Sequence, residues 1–399
     1  RPLLNAADAL QGAVPGLFVS NGGNAPGTSK SFQIRGAYSL GVKNSDGTYG
    51  NTIKPLVLID NVEGDIDMIN PEDIESINVL KDAASAAIYG ARAAGGVILV
   101  TTKRPNSGKA KIEYNGSYTY KKVGMQPRMM SYDEWMEGII QACYNDGKGD
   151  DYTWIRYAKL AQKMKGKYID LSDGLNPDPI PGSFAGVDDF VFMDDVNWTD
   201  VLWGGASSTQ HDLSISGGTD KATYRLSVGY LYDQGTLQWG NNNNQRYNVR
   251  LSNSFKVTDR FTIESVMAAS RQNQVSPTQI GSTLGTSIPQ PGFPVSTIDG
   301  KPYAWGGQYT PNWRAELGGD NRLVVTAMNV NEQFKYHIAK GLDFSATLGY
   351  STNSSIYLSS GIIIVVTRYI VKIVLVRQRM TVLIQRVPHE RIITPLLLS

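Results

Sequence analysis

Residues 74–103 read IESINVLKDAASAAIYGARAAGGVILVTTK. The apolar residues at both ends predict two strands, the alanine-rich middle predicts a short helix, and Gly90, Gly95 and Gly96 predict the turns between them. Residues 1–73 also mix short apolar runs with helix-like pieces and Gly/Pro punctuation. The first hundred residues therefore predict a compact α+β unit with a mixed sheet.

Three shorter motifs precede this stretch. They are NAADALQGAVPGLFV at 5–19, QIRG at 33–36 and PLVLID at 55–60. Together with residues 74–103 they resemble the plug-domain signature of TonB-dependent outer-membrane receptors, and their wording is most similar to the SusC/RagA branch of that family. Asn61 departs from the pattern, because the family usually has glycine after Asp60. The resemblance is strong over residues 5–123.

The composition favours a β protein without a nucleic-acid partner. The 399 residues include 41 Gly and 21 Tyr, and only 19% are charged. The formal net charge of +2 arises from the last 38 residues, which hold six basic residues and one acidic residue; the rest of the chain is net acidic. Cys143 is the single cysteine, which excludes an intrachain disulfide and a cysteine-based metal cluster.

No uninterrupted apolar run reaches the length of about 20 residues that an α-helical span needs, so a membrane crossing would use β-strands. The chain begins at Arg1 without a leader-like segment. We expect a secretion signal and the TonB box of the family to lie upstream, because neither is recognisable at Arg1–Leu4.

Period-two alternation begins after residue 109. It is clear in four segments and weaker in three, namely 111–121, 222–233, 247–257 and 342–351, then 208–216, 261–271 and 323–338. Alternation alone fits a soluble sandwich as well as an outer-membrane barrel wall, in which the apolar face points outward. The preceding plug motifs favour the barrel. We therefore expect an α+β plug domain followed by antiparallel transmembrane β-barrel strands, forming an incomplete barrel.

The spacing of the strands predicts short turns at one end of this wall, at 217–221 and 257–260, and long connections at the other, at 124–207 and 272–322. The first long connection contains an amphipathic helix from residue 132, with Ser131 as N-cap and Glu134 three residues later. Most of the seven tryptophans fall in these connections or near strand ends. Three roles are open for them there: stacking on sugar rings, anchoring at the membrane interface, or packing the loops.

Three regions follow from these patterns: a plug domain at 1–104, a partial outer-membrane barrel with long extracellular loops at 105–361, and an aberrant apolar and basic tail at 362–399. The tail begins IIIVVTRYIVKIVLV and has no glycine and no alternation. We interpret it as the product of a reading-frame slip near residue 361. Plugged transporters carry about 22 strands, so we expect seven strands alone not to form a working pore.

The resemblance implies a set of plug residues that hold the plug in the barrel. In the wider family, plug arginines pair with barrel glutamates; Arg35 lies in the QIRG motif and Arg92 in the later Gly-rich region. Glu75 is a candidate partner. The remaining motif positions are Gly36, Asp60, Gly90 and Gly96. The alternative interpretation for the arginines is an ordinary surface salt bridge, worth under about 1 kcal/mol.

The sequence predicts neither catalysis nor a cofactor or metal. His211, His337 and His389 lie far apart, and no GxSxG, P-loop or CxxC motif occurs. The pairs Asp188–Asp189 and Asp194–Asp195 could serve a glycosidase or bind calcium, but such pairs are usually solvated loop charges.

The resemblance implies a receptor in the outer membrane of a Bacteroidetes-like Gram-negative bacterium that imports an oligosaccharide or a peptide. Its partners would be a SusD-like surface lipoprotein, the TonB–ExbB–ExbD complex of the full-length protein, and outer-membrane lipid. The alternatives are a receptor for siderophores or cobalamin, and a soluble carbohydrate-binding β protein or adhesin; a glycoside hydrolase comes last.

Overall fold

We analysed a computed structural model of the chain. It describes residues 5–10, 15, 17–21, 25–34, 42–43, 49–50, 55–81, 87–124, 128–166, 168–170, 190–192, 194–279, 291–296, 300–305, 308–339, 342–360, 362–367, 370–375 and 379–381.

The N-terminal unit combines one short helix with two small sheets. Strands β1 and β2 form a hairpin, while β3 to β6 form a mixed sheet in the order β4-β3-β6-β5, in which only β3 and β6 run parallel. The elements are α1 (Ala6–Leu10), β1 (Leu17–Asn21), β2 (Lys30–Ile34), β3 (Leu56–Ile59), β4 (Val62–Glu63), β5 (Ile74–Leu80) and β6 (Val97–Thr102). Val42–Lys43 and Tyr49–Gly50 pair separately. The predicted mixed sheet is confirmed.

The core of this unit lies between α1, the hairpin and one face of the mixed sheet. It is entirely aliphatic or aromatic and includes Leu10, Val19, Phe32, Ile59, Ile66, Ile98 and Val100. Burial of such side chains from water is the main stabilising contribution to a unit of this size. Short 3-10 turns at Ile66–Met68 and Pro71–Asp73 link the strands on one side.

The stretch between β5 and β6 departs from the expected regular helix. Its described part, Ala87–Ala93, forms 3-10 turns on either side of Gly90, whose φ of 70° breaks the helical path. Gly96 has a φ of 91° and a Cβ there would lie 2.6 Å from Ile34 Cδ1, so only glycine fits this entry into β6. Residues 82–86, which carry the first part of the expected helix, lie outside the described residues.

A second, larger sheet follows, which we call the wall. Its seven long strands are consecutive, antiparallel neighbours: β7 (Gly108–Lys121), β8 (Ala206–Gly218), β9 (Ala222–Gln234), β10 (Asn243–Thr258), β11 (Phe261–Pro277), β12 (Asp320–Ala339) and β13 (Leu342–Ser359). All seven segments predicted from alternation are strands. Within the described residues the sheet is open, with β7 at one edge and the short strand Arg379–Thr381 beside β13 at the other. The expected incomplete barrel is confirmed.

The two faces of the wall have the polarity of a membrane barrel. On β9, Leu226 and Val228 are exposed while Arg225 and Ser227, which alternate with them, are buried. The same alternation holds on β8 and β10, and Tyr114, Tyr118 and Tyr120 of β7 are about two-thirds exposed. A soluble sandwich would bury these apolar residues, so the arrangement excludes that alternative for the wall.

The connections differ at the two ends of the wall. Residues 219–221 and 259–260 are short links at what we call the turn end, whereas the connections 122–205, 235–242 and 278–319 join strands at the loop end. The predicted division into short turns and long loops is therefore confirmed.

The long connections carry α2 (Tyr132–Asn145), α3 (Thr153–Met164), α4 (Trp198–Leu202) and α5 (Pro311–Leu317), with short strand pairs at Tyr168–Asp170 with Phe190–Phe192 and Ala304–Trp305 with Gln308–Tyr309. The predicted capping box of α2 is present, formed by Ser131 and Glu134. In the part of the chain that is described, no helix has the length and apolarity to cross a membrane.

The start of the tail is a separate two-stranded hairpin formed by Ile362–Thr367 and Ile370–Leu375, while Arg379–Thr381 pairs with the end of β13. The remaining tail, 382–399, lies outside the described residues. The interpretation of this segment as a frame slip stays a prediction.

Candidate functional site: the interface between the plug and the wall

The inner face of the wall is polar and holds the N-terminal unit, which we call the plug, through buried side chains. These inward residues on β8 to β11 include Ser208, Gln210, Asp212, Arg225, Asn244, Arg246, Asn248, Arg250 and Gln272, each less than one-tenth exposed. Buried polar groups are tolerated only when they are hydrogen-bonded or paired. Most of the contacts that these residues make to the plug involve three parts of it.

The first partner is Asp60, at the turn between β3 and β4. Asp60 and Asn61 have φ values of 49° and 68°, as a tight two-residue hairpin turn requires, so asparagine serves where the family has glycine. The Asp60 carboxylate accepts hydrogen bonds from the Thr102 backbone N–H at 3.0 Å and the Thr102 hydroxyl at 2.6 Å. Its Oδ2 also lies 3.2 Å from Arg250 Nη1, so this plug turn meets a wall arginine.

The second partner is Asp73, in the 3-10 turn before β5. Asp73 Oδ1 lies 3.9 Å from Arg225 Nη2, and Asp73 Oδ2 lies 4.0 Å from Arg250 Nε. Two wall guanidinium groups therefore face two plug carboxylates in a buried cluster with balanced charge. Because ions in such a place lose their hydration, each one depends on the opposite charge for compensation.

The third partner is the plug backbone between the two aspartates. Arg246 donates to the Asp67 carbonyl at 2.8 Å and Asn248 donates to the Met68 carbonyl at 2.7 Å. Asn331 also donates to the Asp60 carbonyl at 2.6 Å, and Gln272 donates to the Gly27 carbonyl at 3.0 Å. In the opposite direction, the Asn70 side chain donates to the wall carboxylate of Asp212 at 2.6 Å. The wall therefore contacts both the backbone carbonyls and the side chains of the plug.

The side chain of Asp67 is a buried carboxylate within the plug itself. It accepts from Asn5 Nδ2 at 2.8 Å and from the Lys30 backbone N–H at 3.0 Å, tying α1 to β2. Burial raises the pKa of Asp67 above its ordinary value, and these two hydrogen bonds oppose that rise. Asp67 thus orders the N-terminal part of the plug while its carbonyl contacts the wall.

Two wall glycines allow the plug to approach closely. A Cβ at Gly229 would lie 2.5 Å from Asn70 Nδ2, and a Cβ at Gly349 would lie 2.7 Å from Val62 Cγ2. Neither space would admit a side chain without displacing the plug. Glycine at an inward position of a wall strand therefore marks a point of plug contact.

The structure gives separate outcomes for the expected plug residues. Asp60 lies at the centre of the interface, and Gly90 and Gly96 shape the plug turns. Glu75 is exposed on β5. Arg35 and Gly36 lie outside the described residues, as does the side chain of Arg92, so their expected pairing stays a prediction.

The buried ion pairs that are described run in the opposite sense to the family pattern, with arginines on the wall and carboxylates on the plug. The alternation predicted at 222–233 and 247–257 covers Arg225 and Arg250, but the sequence alone assigned neither residue a partner. The arginines themselves indicate the pairing, because long cationic side chains on the inward face of a strand require nearby carboxylates.

The loop end has its own hydrophobic core, which we call the loop cluster. Residues from all three long connections form it: Tyr132, Met136, Tyr157, Ala158, Ala161, Val196, Trp198, Leu202, Leu237, Phe293 and Tyr303. Trp198 is fully buried there, and Trp135, Trp154, Trp203 and Trp239 pack against the cluster. Loop packing is therefore the role of these tryptophans in the structure.

Asp195 also belongs to the loop end. It accepts from the Tyr132 backbone N–H at 3.1 Å, at the start of α2, and pairs with Lys165 at 3.0 Å. The hydrogen bond from Lys165 holds the pKa of Asp195 below its ordinary value. This geometry gives Asp195 a structural role, and Asp188 and Asp189 lie outside the described residues. Among the residues described, no three His, Cys, Asp or Glu side chains are grouped to hold a metal.

Comparisons with known proteins agree with this geometry. The family profile of the TonB-dependent receptor plug domain matches residues 1–97. The chain is 29% identical to the TonB-dependent receptor SusC of Bacteroides thetaiotaomicron over 330 residues, which is 79% of this chain and 28% of SusC. It is 27% identical to the TonB-dependent receptor P3 of Formosa agariphila, over 89% of this chain and 31% of that receptor.

Among solved structures, the RagAB peptide importer in its closed-closed state is similar with a TM-score of 0.69 and 26% identity, over 90% of this chain and 40% of the matched chain. The fold and site define a plug domain held against an antiparallel β wall. In its plug and first wall strands the chain is accordingly similar to TonB-dependent receptors of the SusC/RagA type. It spans less than a third of the length of the two curated relatives.

Proposed function

We propose that this chain supplies the plug and the first wall strands of an outer-membrane importer for a large nutrient, either an oligosaccharide or a peptide. The observation that carries the proposal is the wall itself, with exposed apolar residues outside and buried arginines inside that grip a folded plug. Such a wall is suited to lipid on one side and to a gated polar lumen on the other. The names of the similar proteins, a SusC receptor and a peptide importer, support the cargo class.

The proposal includes the partners that the resemblance implies. A SusD-like surface lipoprotein would meet the loop end, where the loop cluster gives the long connections a fixed shape. TonB, acting with ExbB and ExbD, would supply the force that displaces the plug. This force would then have to break the buried ion pairs at Asp60 and Asp73, because separating buried opposite charges costs free energy.

Growth of the encoding bacterium tests this function. A strain in which the gene is deleted should lose growth on one class of oligosaccharide or peptide while it keeps growth on simple sugars and amino acids. The gene product should also fractionate with the outer membrane and co-purify with a surface lipoprotein. Loss of growth only under iron or cobalamin limitation would instead support a siderophore or cobalamin receptor.

A further inference from the structure

A polar cavity of about 460 Å³ lies at the turn end, between the plug and the inner face of the wall. We call it the turn-end cavity. Its lining comes from the plug-to-wall linker 104–107, the turn and strand start at 219–223, and inward positions of β10, β11 and β12. Its volume lies within the range of small-ligand sites. The linker forms one side of the cavity, so the cavity lies where the chain passes from the plug to the first wall strand.

The cavity is positively charged. Arg104, Lys221, Lys256 and Lys335 line it, against only two acids, Asp220 and Glu264. One acid is already engaged twice, since Glu264 pairs with Arg104 at 2.7 Å and with Lys335 at 2.5 Å.

The other two cations are left free. In the described part of the chain, neither Lys221 nor Lys256 lies within ion-pair distance of a carboxylate, and both side chains are exposed at the cavity. Two unpaired cations facing a shared polar space attract an anion, and walls of protein around that space strengthen the attraction relative to open water. Side-chain amides and hydroxyls, among them Asn106, Ser252 and Ser254, add hydrogen-bonding groups suited to sugar or peptide.

We propose that the turn-end cavity binds a carboxylate-bearing segment of the cargo as it passes the plug, with Lys221 and Lys256 as its anion contacts. This inference rests on the proposed import function and makes it more specific, because it assigns the cargo to acidic oligosaccharides or acidic peptides. The location favours cargo over an outside partner, since the cavity is lined by inward positions of the wall and by the linker that leaves the plug.

Binding to the whole chain in detergent micelles tests the inference without requiring transport. The probe is a hexamer of galacturonate, and a neutral hexasaccharide of glucose is its uncharged counterpart. The unmodified chain should bind the acidic probe more tightly, and rising salt should weaken that binding because the contacts are partly exposed. Equal binding of the two probes would overturn the proposal.

Variants then place the binding site. The double variant Lys221→Gln with Lys256→Gln should bind the acidic probe about tenfold more weakly, since each exposed ion pair contributes up to about a fivefold factor. Lys221→Arg with Lys256→Arg should retain binding. The matched control Lys122→Gln with Lys163→Gln removes the same charge from two exposed lysines, one directly after β7 and one in α3. Neither lines the cavity, so the control should change nothing.

These outcomes separate the two proposals. If the glutamine pair at the cavity binds like the unmodified chain, or if the control pair loses as much, the cavity assignment is wrong whatever the growth assays show. If binding behaves as expected but the deletion strain grows normally on every oligosaccharide and peptide, the import function is wrong and the cavity is an anion site of another kind.

Discussion

Removing the charge of Asp60 is the most direct way to weaken the contact between the wall and the plug. Replacing Asp60 by asparagine keeps the shape of the side chain, and asparagine tolerates the left-handed backbone of this turn. The amide oxygen can still accept from the Thr102 backbone N–H. The amide NH₂ group, however, would face Arg250, so that two donors meet and the guanidinium loses its nearest counter-charge.

The expected magnitude follows from burial. The side chains of Asp60 and Arg250 are only 3% and 7% exposed, so water cannot replace the lost partner. Removing one member of a buried ion pair costs about 3–5 kcal/mol, and the distant contact of Arg250 with Asp73 at 4.0 Å places the expected loss near the lower end. When the closed state loses about 3 kcal/mol of stability, its local opening becomes roughly a hundredfold more frequent.

This local opening can be measured by hydrogen exchange and mass spectrometry on the chain in detergent. The Thr102 amide, which donates to Asp60, and the other amides of β6 should exchange about a hundredfold faster in Asp60→Asn. Glu72→Gln is the matched control, because Glu72 is also a plug carboxylate bound to the wall, through Asn115 at 2.9 Å, but at an exposed site. Its effect should stay below about 1 kcal/mol.

A double-mutant cycle completes the test. Asp60→Asn, Arg250→Gln and the two together should show a coupling free energy of at least about 1 kcal/mol, because the singles each strand a buried charge and the double strands fewer. Additive effects, or equal exchange in Asp60→Asn and Glu72→Gln, would refute the reasoning that charge pairing fastens the plug.

Other predictions concern the loops, the plug interior and the outer face. Trp198→Ala should cost about 3–5 kcal/mol in the loop cluster and speed proteolysis of residues 128–166, since the side chain is fully buried; unchanged proteolysis would contradict a packed loop end. Asp67 has a raised folded pKa, so the stability it contributes is complete below its ordinary value of 3.8 and is lost as pH rises through the raised value. The urea midpoint of the unmodified chain should therefore fall relative to that of Asp67→Asn as the pH rises above 3.8, and parallel profiles would count against this. Glu332 stands on the apolar outer face of β12, bonded to Ser265, so Glu332→Gln should raise the thermal midpoint in micelles; a lower midpoint would show that the carboxylate has a partner.

The wall and its faces could be predicted from the sequence because alternation is a local property of each strand. Leu226 and Ser227 differ in environment for no reason other than the period of two, and the plug motifs before them decide which face meets lipid. The capping box at Ser131 and the turn at Gly96 are local in the same way. Local rules therefore predicted these features correctly.

The interface could not be predicted as a set of contacts. Asp60 and Arg250 are 190 residues apart, and their meeting depends on how the plug docks against several wall strands at once. The loop cluster joins Tyr132, Trp198 and Phe293 from separate connections, so no single segment carries its pattern. The family resemblance directed attention to plug arginines, whereas the buried ion pairs that are described use wall arginines because the inner face of β9 and β10 supplies them.

The orientation of the wall is the claim on which the receptor assignment depends. Single spin labels at Leu226→Cys and Ser227→Cys, in a Cys143→Ser background and a lipid bilayer, measure it at adjacent positions. We predict that the label at position 226 collides with oxygen dissolved in lipid and is shielded from a water-soluble nickel complex, while the label at position 227 is shielded from oxygen by the plug. A label at position 226 shielded from lipid oxygen, with the label at position 227 facing bulk water, would contradict the account.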